Sequence, residues 1–215
     1  MKVTDSIGSR EKTVSQIDLG LEGMDPDVAD AIKEEVGTFL VESVLSAVAE
    51  AKTPVSGESW PILSKDYKEH KSEEGSGTVA NMSLNGEMLD SLTFEKTSSG
   101  IELGFFDDQA WKADGHLKFS GAEGTAPKRR FLPAKGESFK EGIEKEVESI
   151  IRDELAARIE LDRKDFSNIE TKSELWSVLR DYFPELDRSD IIFALTRNSA
   201  AFKILEDLGL DDLLV

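Results

Sequence analysis

The chain has 215 residues, 44 acidic and 26 basic, for a formal charge of −18. That balance argues against a dominant nucleic-acid-binding face, which needs clustered Lys and Arg to meet phosphate. The absence of cysteine excludes disulfides, thiolate nucleophiles and cysteine metal sites.

Residues 1–24 are polar, carry glycines and show no sustained periodicity, which predicts a flexible N-terminal arm that orders only against a partner. Met1 to Gly8 lacks the apolar core of a secretory signal, and no apolar run approaches the roughly 20 residues that span a bilayer. The expected place of synthesis is a cytoplasm. Asp25-Pro26 then supplies a favoured N-cap followed by proline at the first helical position. From there Val28, Ile32, Val36, Phe39, Leu40, Val44, Ala47, Val48 and Ala51 recur at steps of three and four, which predicts one amphipathic helix to about Lys52. Thr53-Pro54 ends it.

Residues 54–63 are loop chemistry around Trp60, a plug for one end of a core. Ser64 can cap a short helix through His70 and Lys71, broken by the run Glu73-Glu-Gly-Ser-Gly77. Residues 78–121 read as sheet, with Asn85 to Ser91 a turn of helix leading in. Leu92 and Phe94 alternate with polar residues, as do Ile101, Leu103 and Phe105 beyond the connection Thr97–Gly100, so the pair forms a half-buried hairpin. His116-Leu-Lys-Phe119 is expected as a third strand.

Pro127 and Pro133 bracket Lys-Arg-Arg-Phe-Leu, and each proline pushes its predecessor towards extended backbone. This predicts a rigid segment that joins the sheet to a second long helix. Phe139, Ile143, Val147, Ile150, Ile151, Leu155 and Ile159 form that helix's stripe to about Leu161. In the tail, Thr171-Lys-Ser-Glu174 fits a capping box, and Asp187 and then Asn198 or Ser199 can cap two further short helices. The organisation expected is an arm (1–24), an α+β domain (25–163) and a C-terminal helical appendage (164–215).

Catalytic constellations are scarce. The only histidines are His70 and His116, and no nucleophile elbow, P-loop or His-Glu-x-x-His is present. Asp107, Asp108, Asp114 and His116 are the one acidic cluster with a histidine nearby, but their spacing matches no metal-site template. No catalytic residue, metal site or cofactor is expected. Lys128, Arg129 and Arg130 could meet phosphate, though basic residues inside a structured motif more often pair with carboxylates.

The order of features resembles one family. Trp60-Pro-Ile-Leu-Ser64, Tyr67 and Lys71 lead to Leu84-Asn-Gly-Glu-Met-Leu-Asp-Ser-Leu92. A hairpin with Ile101-Glu-Leu-Gly104 follows, then Ala110-Trp111, His116, Phe119 and Gly121. Pro127-x-Arg-Arg-Phe-Leu132 and a closing helix complete the series. This succession, over about residues 28–160, resembles the virion morphogenesis family of tailed bacteriophages, described as tail-completion, neck or head–tail joining proteins.

The resemblance implies an α+β protomer, an antiparallel β-sheet flanked by two long α-helices, with the C-terminal helices outside the family pattern. It implies a homo-oligomeric ring at the head–tail junction and no reaction. The implied partners are the head connector or adaptor and the tail terminator or tail tube. DNA would be only a passing neighbour in the channel, and no membrane is involved. The implied location is the virion, assembled in the host bacterial cytoplasm. Trp and Arg are enriched at interface hot spots, so Trp60, Trp111, His116, Arg129, Arg130 and Phe131 are the expected interface residues. Competing expectations are a tail terminator, a small metal-dependent hydrolase around Asp107–His116, and a binding module built on residues 165–215.

Overall fold

The N-terminal residues do not form a free arm. They pair as a hairpin, β1 (Lys2–Gly8) and β2 (Thr13–Asp18), with Ser9 Oγ accepting from the Lys12 N–H at 2.9 Å across the turn. β2 pairs along its whole length with β4 (Gly100–Phe105), and β4 pairs with β3 (Thr93–Lys96). The result is one four-stranded antiparallel sheet of order β1-β2-β4-β3. The predicted β3–β4 hairpin is present, and the supposed arm supplies the other half of the sheet. The computed structural model describes residues 1–22, 24, 26–75, 87–121, 128–157, 163–183, 186, 188–197 and 199–214.

The hairpin is ordered because one of its faces is buried. Ile17 lies opposite Ile101, Ser15 opposite Leu103 and Thr13 opposite Phe105, and all six are at most 2% exposed. The two hydroxyls sit in that apolar face because each has an acceptor: Thr13 Oγ1 donates to the Ala110 carbonyl at 2.9 Å and Ser15 Oγ to the Pro133 carbonyl at 2.6 Å. A satisfied hydroxyl costs little to bury. On the other face Gln16 Nε2 donates to Glu102 Oε1 at 2.8 Å, and Lys12 bonds the same carboxylate.

Helix α1 (Pro26–Ala49) lies against β3 and β4, with Ile32, Val36, Leu40, Val44 and Val48 wholly buried. That is the stripe its periodicity predicts. Gly37 interrupts it for a steric reason. A Cβ there would lie 2.4 Å from the Phe94 ring on β3, so the glycine sets how closely helix and sheet approach. Gly37→Ala, which in an open helix stabilises by about 1 kcal/mol, is expected to destabilise this protein. An unchanged or higher denaturation midpoint would contradict that packing.

Helix α2 (Lys65–Glu73) opens on Ser64, whose hydroxyl accepts from the Tyr67 N–H at 3.4 Å. A short α3 (Glu87–Asp90) precedes β3. The turn residues Leu84, Asn85 and Gly86, like Asp25 and Pro127, lie outside the described residues.

The predicted third strand is instead helical. Ala110–Leu117 form α4, which packs on β1, β2 and β4. Ala110, Ala113 and Leu117 are wholly buried at helical spacing, and that period outweighs the chance alternation of His116 to Phe119. Lys118 closes the helix in a left-handed conformation (φ 57°), and Asp114 accepts from the Ser120 N–H at 3.0 Å just beyond it.

Helix α5 (Glu141–Ala157) follows, with Ile143 and Val147 buried; Ile159 and Leu161 fall outside the described residues. The chain divides into two compact units, Met1–Glu148 and Ser149–Val215. The division therefore falls inside α5, not at the expected 163/164. A loop marks the end of a helix in sequence, whereas a unit is bounded by where its side chains pack.

In the second unit, α6 (Arg163–Phe166) precedes α7 (Lys172–Tyr182), α8 (Arg188–Arg197), α9 (Ser199–Asp207) and a 3-10 turn at Asp211–Leu213. The capping box is complete: Thr171 Oγ1 accepts from the Glu174 N–H at 3.3 Å, and Glu174 Oε2 from the Thr171 N–H at 3.0 Å. Phe166, Leu175, Leu179, Ile191, Leu195, Leu205, Leu210 and Leu214 form this unit's own core. The terminal Asp-Asp-Leu-Leu segment thus docks within its own unit. The caps Asp187 and Asn198 lie outside the described residues. The fold is α+β, an antiparallel sheet with helices and a C-terminal helical unit. Among the described residues no helix is long and apolar enough to cross a membrane.

Candidate interaction site around Arg129

The segment from Lys128 to Lys140 leads into α5 and is held at several points. The Arg129 N–H donates to the His116 carbonyl at 3.0 Å, and Thr53 Oγ1 donates to the Arg130 carbonyl. The Pro133 carbonyl takes the Ser15 hydroxyl, the Lys135 N–H donates to Ser6 Oγ at 3.2 Å, and the Lys140 N–H to the Pro54 carbonyl at 2.9 Å. The segment therefore straps α4, both N-terminal strands and the loop after α1 together. The predicted joiner to α5 is present from Lys128 on, but the element before it in the chain is the helix α4, not a strand.

Phe131 and Leu132 point inward and are wholly buried. The Phe131 ring meets Phe105 of β4 edge-on, with centroids 5.8 Å apart and planes at 86°. Phe131 is thus a core side chain, which corrects its expected place at a subunit interface. Phe131, Leu132 and Pro133 are buried in succession, at a bend in the strap and not on one face of a strand. Arg130 is mostly covered and uses its charge within the chain, 3.5 Å from Glu137 and 5.5 Å over the Phe119 ring. Trp60 is 7% exposed, with its indole N–H enclosed and unpartnered, so it too is an interior residue. Of the expected interface residues, Trp111 alone is exposed, at 57%, as an interface aromatic is.

Behind the strap lies a cluster of basic side chains. Arg129 is 6% exposed and Lys71, from α2, only 2%. His116 is partly buried on α4, and its Nδ1 is enclosed without a partner, as is Arg129 Nε. Burial holds the His116 imidazole at a pKa of about 4, below the usual 6.5, and the Arg129 charge adds to the depression. Burial also lowers the Lys71 ammonium, again with help from Arg129. The Arg129 guanidinium is itself lowered by burial, opposed by nearby Tyr67. Three basic groups therefore share one desolvated region of a strongly acidic protein. Nothing in the charged run Lys65 to Lys71 marks its last residue as an interior one.

The acidic residues near His116 do not converge. Asp107 Oδ1 accepts from the Gln109 N–H at 2.9 Å, Asp108 Oδ1 from Gln109 Nε2 at 3.0 Å, and Asp114 holds Ser120. Among the described residues, no group of three or more acidic or histidine side chains is placed to hold a metal ion. No family model matches the chain, and neither a curated protein nor a solved structure matches it.

Proposed function

We propose that this chain is a structural protein of a tailed-phage virion, one subunit of a ring that joins the head connector to the tail. The reading is carried by the ordered succession of motifs from Trp60 to Leu132 and its closing helix. Two structural features support it. The Lys128–Lys140 strap locks the first unit into a rigid block, and rigid blocks suit repeated contacts around an axis. Trp111 leaves a large exposed aromatic on that block, the residue type that anchors protein interfaces. On this reading the chain performs no reaction, and its partners are copies of itself and the neighbouring connector and tail proteins.

The test is negative-stain microscopy of a lysate from a phage carrying an early nonsense codon in this gene. DNA-filled heads beside separate tails of normal length are expected. Over-long or ragged tails would move the protein to tail termination, and intact infectious particles would overturn the structural reading. In the same assay, Trp111→Ala is expected to reduce joined particles while the purified protein keeps its fold.

A further inference from the structure

We propose that Arg129, with Lys71 and His116 around it, forms a receptor for a single oxyanion, a phosphate or carboxylate group supplied from outside the protomer. The inference holds whether or not the chain works in a virion. It starts from an imbalance of charge. A guanidinium keeps its proton at neutral pH, and burying it is costly unless an anion or several acceptors replace the lost water. Arg129 is only 6% exposed, yet among the described residues it forms no salt bridge and its Nε has no acceptor. Arg130, its chain neighbour, does reach a carboxylate, Glu137 at 3.5 Å. Lys128, before it, is exposed to water, so within the basic run Arg129 is the residue that is buried without a carboxylate among the described residues.

The surroundings suit an oxyanion. The backbone bond from Arg129 to the His116 carbonyl, 3.0 Å, fixes the guanidinium-bearing residue to α4. His116 brings a second enclosed and unpartnered nitrogen, Nδ1, to the same helix end. Once an anion is present, a protonated imidazole becomes a second donor there. Tyr67, 43% exposed, stands close enough to Arg129 to influence its charge. Guanidinium forks bind phosphate and carboxylate oxygens in pairs. A metal or a cationic ligand would be repelled by the Arg129 and Lys71 charges. A carboxylate from a second copy fits the chain's own charge of −18, and free phosphate offers the same oxygens.

The test follows the two histidines by NMR in the full-length protein as inorganic phosphate is added at constant ionic strength. Phosphate is expected to move the His116 ring signals saturably, in the low-millimolar range, and to raise its pKa from about 4. His70, exposed and 6.1 Å from the Tyr67 ring, is expected to move less than His116. Arg129→Gln is expected to weaken the apparent affinity about tenfold or more, and Arg129→Lys less.

A dilution series in phosphate-free buffer separates the sources. A His116 shift that grows with protein concentration and is lost in Arg129→Gln supports the site and assigns the occupant to a second copy. Should Arg129→Gln fail to fold, the wild-type protein alone decides: phosphate must raise its thermal midpoint above that in chloride of equal ionic strength. No saturable His116 shift and no concentration dependence would overturn the proposal. So would an equal phosphate shift in folded Arg129→Gln, which would mean an adventitious ion only.

Discussion

Phe131→Ala is expected to lower the unfolding free energy of the first unit by about 3–5 kcal/mol. The ring is wholly enclosed and packs edge-on against Phe105 at 5.8 Å, so its removal forfeits both apolar burial and an aromatic contact of about 0.5–1.5 kcal/mol. Collapse around the gap is restrained, because the strap is pinned on both sides of it, at Arg130 by Thr53 and at Pro133 by Ser15. The measurement is urea unfolding followed by tryptophan fluorescence in a Trp176→Phe background, which leaves Trp60 and Trp111 as reporters of the first unit. Trp111→Phe, at an exposed position, should shift the same curve by under about 0.5 kcal/mol. A Phe131→Ala loss under about 1 kcal/mol would mean that the strap is not part of the core. Any assembly defect in Phe131→Ala should therefore be read as a folding defect first.

Acid should weaken the fold through His116, by about 3 kcal/mol between neutral pH and pH 4. The folded imidazole titrates near 4 and the unfolded one near 6.5. As pH falls through that window, the unfolded chain takes up the proton first, so stability drops from about pH 6.5 and levels off below about 4. Above 6.5 both states are neutral at this residue and it contributes no slope. The test compares the wild type with His116→Gln at several pH values in phosphate-free buffer. Carboxylates titrate alike in both proteins and cancel in the difference. The variant should lose less stability than the wild type on going from pH 7 to 4. Parallel profiles would show that His116 is solvated and that Arg129 does not bear on it.

The long α1 could be read from sequence because its core face is almost purely apolar, with Ile32, Val36, Leu40, Val44 and Val48 at helical steps. The β3–β4 hairpin could be read for the same reason at period two. The N-terminal hairpin was hidden because the buried positions between Val3 and Ile17 include Thr13 and Ser15, whose polarity is neutralised only by carbonyls far along the chain, at Ala110 and Pro133. A bulge between Val3 and Asp5 breaks the alternation further. The basic cluster was half visible. Arg129 stands in a conspicuous motif, but the burial of Lys71 depends on tertiary packing that a nearly all-charged helix does not announce. Of the expected interface residues, Phe131 and Trp60 are large and apolar, and sequence cannot tell an aromatic that fills a core from one that fills a partner's pocket.

The strand order also sets a timetable for synthesis. β2 finds its inner partner only when Gly100 to Phe105 have been made, since Asp18 pairs with Gly100 and Thr13 with Phe105. At ribosomal speeds that is a wait of roughly 5–15 s after the hairpin emerges. Throughout it, β2 carries an open row of backbone donors and acceptors beside Val14 and Ile17, the kind of edge that pairs with another chain. The last clamps, from Pro133 and Lys135, arrive later still. β2 is thus made well before the strand that secures it, and a nascent chain that stalls before Gly100 leaves one edge of β2 open to pairing.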